Sequence, residues 1–166
     1  MDTFEEIWIE IPDSEGYSVS NLGEVKNNST GGLIKPQVSP HGVMYVPLYV
    51  NGEKVTRAVK PLVAKMFVDG RTKIFDTAIN KDGDKRNNRV DNLEWRPRWF
   101  AVKYSRQFLQ EFEHETKGPI EERKSGVIFE TIREAGVTNG VLFRDIFTSC
   151  RTGAPVFPTS QIFVML

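Results

Sequence analysis

The chain has 166 residues, of which 39% are hydrophobic and 27% charged, a composition typical of a folded globular protein. Its single cysteine, Cys150, excludes an internal disulfide, and with only two histidines, His41 and His114, a tetrahedral zinc site is nearly excluded. No apolar run reaches membrane-spanning length, and the first residues are acidic where a signal peptide would be basic. These features predict a cytoplasmic protein without a membrane partner.

The charges are segregated along the chain, although 22 basic and 22 acidic residues give a net charge of zero. Residues 1–53 hold two basic and eight acidic residues, a net charge of −6. Residues 54–106 hold fourteen and six, a net charge of +8, and residues 107–166 hold six and eight, a net charge of −2. The cationic middle third favours binding to a polyanion, with a solvated basic face as the alternative.

Short antiparallel strands are predicted in the first sixty residues. Ile7, Ile9 and Ile11 alternate with polar residues, as in a half-buried strand, and strands at 17–20 and 24–26 flank a tight turn. Residues 44–50 and 54–58 should form a hairpin around Asn51-Gly52. Pro47 lies inside the first of these strands, which predicts an edge strand or a bulge.

Two helices are predicted in the middle third. Residues 60–68 carry one apolar stripe, with Pro61 in the first turn. An extended stretch over 73–80 and a polar loop up to residue 92 follow. A longer helix should begin near Pro97, because Phe100, Tyr104, Phe108 and Phe112 recur every four residues, and it should end at a linker formed by residues 117–119.

The last third predicts small elements around a helix pair. These are a strand at 126–129, a helical turn at 131–135, a second helix at 140–147 and a final strand at 161–164. Thr138 could cap the second helix, which would carry Asn139 and Arg144.

Several stretches resemble the HNH homing endonucleases of phages and introns. Trp8, followed by GYSVSNLGEV at residues 16–25, resembles the N-terminal module of these proteins. The sequences LVAKMF at 62–67, DGDKRNN at 82–88 and DNLEW at 91–95 resemble the HNH core in order and spacing. Residues 131–138 are similar to the small helix-turn-helix module that closes these enzymes, with about one helical turn missing between Ala135 and Gly136.

This resemblance implies an α+β fold in three modules. Residues 1–58 would form small antiparallel β hairpins, residues 59–116 a ββα HNH-like core with a linker helix, and residues 117–166 a helix-turn-helix-like module. In the family, the core is a β-hairpin followed by a helix, which together hold one divalent metal ion such as Mg²⁺.

The resemblance also places the family's catalytic positions on residues that lack the chemistry. The histidine that deprotonates water falls on Asn80, whose amide cannot accept a proton at neutral pH. The metal-ligand position before it falls on Ile79, and the helical ligand falls on or beside Ala101. Neither side chain has a donor atom for a metal. No catalytic residue, metal or cofactor is therefore predicted. Mg²⁺ is predicted as a cofactor only if the protein is a nuclease with substituted active-site residues.

Residues that shape the HNH loop are retained, and so is a set of cations around it. The loop-shaping residues are Gly83, Asn88, Asn92 and Trp95. The predicted DNA-contacting residues are Lys60, Lys81, Lys85, Arg86, Arg89, Arg96, Arg98, Lys103, Arg106, Asn139 and Arg144. Asp82 and Asp84 are interpreted as turn residues, with a metal site as the alternative. Trp95 and Trp99 are interpreted as core residues, with base stacking as the alternative.

The sequence leaves three functions open. The first is a non-catalytic protein of phage type that binds double-stranded DNA and regulates transcription or another DNA transaction in the host cytoplasm. The second is an active endonuclease or nickase with substituted active-site residues. The third is a protein-binding adaptor, or an RNA polymerase accessory factor or inhibitor, that uses the acidic N-terminal third. None of the three involves a small-molecule substrate.

Overall fold

The structure is a computed structural model that describes residues 5–112 and 118–166. The chain folds as two compact units. The N-terminal unit comprises Met1–Asn80 and Asp84–Arg98, and the C-terminal unit comprises Lys81–Gly83 and Trp99–Leu166. The three-module division stays a prediction, and its boundary at 116/117 lies outside the described residues, as does His114.

The described part of the N-terminal unit combines small antiparallel sheets with one helix, as predicted for an α+β fold. Two sheets have the strand orders β1-β2-β3 and β4-β5-β6, and a hairpin pairs β7 with β8. The strands are β1 (Trp8–Glu10), β2 (Tyr17–Ser20), β3 (Val25–Asn27), β4 (Gln37–Val38), β5 (Met44–Val50), β6 (Glu53–Ala58), β7 (Thr77–Asn80) and β8 (Leu93–Arg96).

The burial predicted for the first strand is wrong at two positions. Ile11 is buried, but Ile7 is 53% exposed and Ile9 37% exposed. Ile9 is paired with the fully buried Val19, so both side chains leave the same face of the sheet. Because β1 is an edge strand, the core beneath β2 does not extend far enough to cover Ile9.

The predicted hairpin at residues 44–58 is confirmed. Asn51 and Gly52 have positive φ angles of 51° and 79°, as a two-residue type I′ turn requires. Within the described sheet, β4 pairs only with Met44 and Tyr45, so the β4-facing edge of β5 carries no ladder partner at Pro47. β5 is the central strand of this sheet and pairs with β6 without a bulge, so the predicted edge strand or bulge is wrong, but the missing N–H of Pro47 costs the sheet no hydrogen bond because β4 ends before it.

Helix α1 (Val59–Phe67) packs the N-terminal unit together. Its residues Val59, Val63 and Ala64 are at most 1% exposed and join a core with residues from β2, β3, β5, β7 and β8. The apolar stripe was thus predicted correctly, although the helix begins one residue earlier than expected. Every helix in the described ranges falls short of the length and apolarity needed to span a bilayer.

The second predicted helix is much shorter than its aromatic spacing suggested. Helix α2 (Arg98–Arg106) follows the β7–β8 hairpin, as the resemblance implied, but the expected continuation past residue 106 is wrong. Phe100, Tyr104 and Phe108 do contact one another in order, with ring centroids 5.9 and 5.4 Å apart, the first pair stacked and the second edge-to-face. Phe108 and Phe112 then contact Phe143 in the second core, and this tertiary packing replaces a continued helical ridge.

The C-terminal unit places two helices against a small sheet. Its described elements are a sheet of order β10-β9-β11, formed by β9 (Ile120–Glu122), β10 (Ile128–Phe129) and β11 (Phe163–Met165), and the helices α3 (Ile132–Asn139) and α4 (Phe143–Thr152). A three-residue turn joins the helices, which gives the predicted helix-turn-helix-like order.

Helix α3 runs without interruption through Ala135 and Gly136, and the helical turn expected to be missing there relative to the family stays a prediction. Two other expectations for this helix pair are wrong. Gly140 ends α3 in the left-handed conformation and does not begin the next helix. Thr138 lies inside α3, whose N-cap is Thr131, whereas the N-cap of α4 is Leu142 without a side-chain hydrogen bond. The tight α3–α4 packing selects these boundaries.

The contact between α3 and α4 generates the first testable prediction. A Cβ at Gly136 would lie 2.6 Å from Cε1 of Phe143, which is fully buried and has little room to move. Gly136→Ala should therefore lower the free energy of unfolding by about 1–3 kcal/mol, the usual cost of overpacking a core. Urea unfolding followed by circular dichroism measures this change.

Gly118→Ala is the matched control, because a Cβ there would come no nearer than 3.5 Å to any neighbour. It should change stability by less than about 0.5 kcal/mol. Equal stability of the two variants would show that α3 and α4 are not packed as closely as described.

Candidate nucleic-acid interface

Asn80, at the end of β7, is built into the loop that follows it. The side chain is 6% exposed. Its Nδ2 donates to the backbone oxygen of Asn87 at 2.8 Å and to Oδ1 of Asn88 at 3.1 Å. Because Asn80 is fixed at the end of a strand, its amide also fixes the position of Asn87 and Asn88 relative to the hairpin.

Two further loop asparagines complete this network. Asn92 Nδ2 also donates to the Asn87 carbonyl, at 2.8 Å, and Asn88 Nδ2 reaches the sulfur of Met44 at 3.7 Å. Asn88 and Asn92 are both buried. The Asn87 carbonyl thus accepts from side chains on both flanks of the loop, a role that sequence patterns did not single out because it belongs to a backbone atom.

The other loop-shaping residues also have defined contacts. Trp95 is buried, and its Nε1 donates to the backbone oxygen of Val68 at 2.9 Å, so its predicted place in the core is confirmed. Gly83 has a φ of +81°, and a Cβ there would fall within 2.6 Å of the Phe108 ring. This position therefore accepts only glycine without rearrangement. Asp84 Oδ1 accepts from the backbone N–H of Arg86 at 2.9 Å, as a turn residue does.

The residues that the resemblance assigns to the metal positions do not fit a divalent ion. Ile79 is 3% exposed and offers only hydrocarbon, and Ala101 offers a methyl group. The Asn80 amide directs its nitrogen, a hydrogen-bond donor, at the loop. Hard cations such as Mg²⁺ require several oxygen ligands. In the ranges 5–112 and 118–166, no group of three histidine, cysteine, aspartate or glutamate side chains is placed to supply them.

Cations of the N-terminal unit gather near this loop. Lys85 Nζ donates to the backbone oxygen of His41 at 3.1 Å, and the Arg86 side chain is exposed. Lys60, in the first turn of α1, lies close enough to Lys85 for their charges to interact. Burial, and then the positive charge of Lys85, lowers the pKa of the Lys60 ammonium below its ordinary value. A phosphate brought to this pair would relieve their repulsion.

Two predicted DNA-contacting arginines are held by carboxylates. Arg89 pairs with Asp91 at 3.3 Å, with both side chains more than 40% exposed. Arg96 is different, because only 4% of its side chain is exposed and its guanidinium pairs with Glu94 at 3.0 Å while donating to the Trp95 carbonyl. A side chain buried in this way supports the hairpin, so Arg96 is not part of the exposed cationic surface.

The remaining predicted DNA-contacting residues are spread along the rest of the chain. Lys103, Arg106 and Arg144 are exposed on helices of the C-terminal unit, and Arg98 is exposed at the start of α2. Lys81 is half-buried, and its backbone oxygen accepts from the Tyr104 hydroxyl at 2.6 Å. Asn139 donates to the Ala135 carbonyl at 2.8 Å and accepts from Gln161 at 2.9 Å, so its amide ties α3 to the C-terminal segment.

Trp99 was predicted to lie in the core, and this is wrong. The side chain is 54% exposed, although its neighbour Phe100 is fully buried. Consecutive helical residues point in directions 100° apart, so the burial of one does not imply the burial of the next.

Near the same helix, burial raises the pKa of Asp145, and the positive charges of Lys103 and Arg144 oppose this shift.

Comparisons with known proteins confirm the family resemblance. Residues 6–49 match the NUMOD4 motif, which occurs in HNH homing endonucleases. The chain is 37% identical over 89 residues to the DNA endonuclease I-HmuI of Bacillus phage SP01, across 53% of this chain and 51% of the relative. It is 36% identical over 88 residues to an HNH endonuclease, L245, of Acanthamoeba polyphaga mimivirus, across 53% of this chain and 26% of the relative.

A solved structure shows that the fold extends over the whole chain. The structure titled "DNA binding and cleavage by the HNH homing endonuclease I-HmuI" aligns with 96% of this chain and 98% of its own, at a TM-score of 0.54 and 22% identity. The sequence matches to the relatives above span about half of their lengths or less. The α+β fold class predicted from the sequence is therefore confirmed.

The donor role of Asn80 can be tested by an isosteric substitution. At pH 7, Asn80→Asp would place a carboxylate against the Asn87 and Asn88 oxygens and should lower the unfolding free energy by about 1–3 kcal/mol or more. Since the buried carboxyl would have a raised pKa and could donate once protonated, the loss should shrink at pH 4. Urea unfolding at both pH values measures this.

Asn27→Asp is the matched control. Asn27 Oδ1 accepts from the backbone N–H groups of Ser29 and Thr30, and a carboxylate can accept in the same way. This variant should unfold as the unaltered protein does at pH 7. An Asn80→Asp protein that was equally stable at pH 7 would contradict the role of the amide as a donor.

The environment of Lys60 predicts a pH dependence of stability. Its pKa is lower in the folded protein than its ordinary value of 10.5, so the unfolded chain binds more protons between the two values. The charged form thus destabilises the fold at pH 7, and this penalty fades as the pH rises towards 10.5. Lys60→Gln should be more stable than the unaltered protein at pH 7, with a smaller difference at pH 10.

Thermal unfolding between pH 7 and pH 10 checks this sign. Lys65→Gln removes the same charge from the exposed side of α1 and serves as the control. If Lys60→Gln and Lys65→Gln shifted the melting temperature equally at every pH, Lys60 would not carry the desolvation penalty described.

Proposed function

We propose that this chain is a non-catalytic DNA-binding protein built on an HNH homing endonuclease fold, of phage type, which regulates transcription or another DNA transaction. The observation that carries the proposal is the position of Asn80. The resemblance assigns Asn80 to the general-base position, and its side chain is buried and donates hydrogen bonds that hold the loop. An amide used in this way cannot accept a proton from a water molecule.

The cations near the loop support the proposed DNA binding. Lys60, Lys85 and Arg86 lie in one region of the N-terminal unit, and exposed arginine and lysine side chains contact DNA phosphates without reading the sequence. If about five such contacts form, the logarithm of the affinity should fall with the logarithm of the salt concentration at a slope of roughly −4 to −5. I-HmuI is named as a DNA endonuclease, which agrees with a DNA surface on this fold.

A second candidate function is an active endonuclease, which the names of the relatives favour. This function would require another group to activate water, because neither Ile79 nor Asn80 can do so in its described environment. An RNA polymerase partner stays a prediction that the described contacts neither favour nor test.

Cleavage and binding assays on the same DNA separate the two functions. Purified protein is incubated with duplex fragments of its own locus, with Mg²⁺, with Mn²⁺ and with EDTA. We expect gel shifts that do not depend on the metal and no nicked or linear product. Metal-dependent scission by protein freed of contaminating nucleases would establish the endonuclease instead.

The cationic loop is tested by substituting two of its arginines. Arg86→Ala combined with Arg89→Ala should weaken binding to every duplex sequence and reduce the magnitude of the salt slope by about 2, roughly 1 for each lost phosphate contact. Fluorescence anisotropy across a salt series measures both quantities.

Arg123→Ala with Lys124→Ala is the matched control, since it removes the same charge from an exposed stretch of the C-terminal unit. We expect this control to leave the slope unchanged. Equal affinity of both double variants would place the DNA surface away from the loop.

A further inference from the structure

One face of α2 carries an exposed aromatic side chain among cations. Trp99, Val102, Lys103 and Arg106 are spaced by three, four and seven residues from Trp99, so they share one side of the helix. All four are exposed, with Trp99 at 54% and Val102 at 46%. The side of the helix that faces the core holds Phe100 and Tyr104, which are buried.

The Trp99 ring is held in place by neighbours of the C-terminal unit. Phe100 meets it edge-on with the ring centroids 5.8 Å apart, and Phe157 lies 5.3 Å away at an interplanar angle of 32°. Phe157 is itself 42% exposed. The two rings therefore form a pre-positioned aromatic surface, and ordering it on binding costs little conformational entropy.

The charges on this face indicate what it accommodates. Lys103 Nζ lies 5.3 Å from the centre of the Trp99 ring, and Arg106 follows one helical turn later. An apolar protein segment laid on the rings would remove these two cations from water and bring no counter-charge of its own, although Asp145 lies near Lys103. An unpaired stretch of DNA offers flat bases for the rings and phosphates for the cations.

We propose that Trp99 and Phe157 form a stacking platform for an unpaired base of DNA, with Lys103 and Arg106 contacting the adjacent phosphates. This inference rests on the proposed DNA-binding function and adds to it a second, single-strand contact in the C-terminal unit. Stacking on an aromatic side chain does not depend on base identity, so the platform should accept any sequence that can be unpaired.

The experiment uses the full chain and a dT15 oligonucleotide that carries one 2-aminopurine, whose fluorescence falls when it stacks. We expect the protein to quench this fluorescence. Trp99→Leu, which keeps an apolar side chain but removes the ring, should abolish the quenching and weaken anisotropy-measured binding to dT15 by roughly tenfold. Trp99→Phe should keep part of both, because it retains an aromatic face.

Trp8→Leu is the matched control. Trp8 also has a lysine over its ring, with Lys26 Nζ 4.2 Å from the centroid, but it lies in the N-terminal unit and is half-buried. This variant should quench and bind as the unaltered protein does. Circular dichroism melts of each variant establish that it is folded at the assay temperature.

The possible failures are distinguishable. Absence of quenching by the unaltered protein, or unchanged dT15 affinity in folded Trp99→Leu, overturns the platform, while retained duplex binding leaves the proposed function intact. Failure of the unaltered protein to bind any DNA overturns both the platform and the proposed function. A concentration-dependent dimer in sedimentation velocity that Trp99→Leu dissolves would overturn the platform by showing that a second copy covers the face.

Discussion

The functional region depends on one backbone atom, the carbonyl oxygen of Asn87, which accepts hydrogen bonds from two side-chain amides. Asn80 reaches it from the end of β7 and Asn92 from the turn that leads into β8, each at 2.8 Å. A buried carbonyl without a partner costs free energy, so the two amides and the loop stabilise one another. The shape of the loop that carries the cations follows from this arrangement.

The same arrangement limits the chemistry of the site. An imidazole at position 80 would offer at most one donor where the amide nitrogen supplies two hydrogen bonds, and as a base it would have to leave a nitrogen lone pair free. Bracing the loop in this way and accepting a proton from water are therefore competing uses of one position. The buried Ile79 beside it is equally suited to the hairpin and unsuited to a metal.

The cationic third of the sequence divides between surface and interior once the chain is folded. Lys60 and Lys85 are close enough to repel each other, which favours an anion beside them, whereas Arg96 is buried and pairs with the partly exposed Glu94. Lys103 and Arg106 share their helix face with the exposed Trp99. Charge along the sequence thus indicated a polyanion, and burial decided which cations can reach one.

The sequence by itself determined the features that depend on neighbouring residues. Asn51-Gly52 specified its turn, and the motifs around residues 16–25 and 82–95 specified the family resemblance, because local backbone preferences and residue identities are written directly in the chain. Only the tertiary structure decided where α2 ends, that Trp99 is exposed and that Arg96 is buried. These outcomes depend on residues distant in sequence, such as Phe143 against Phe108, and periodicity within one segment carries no information about such partners.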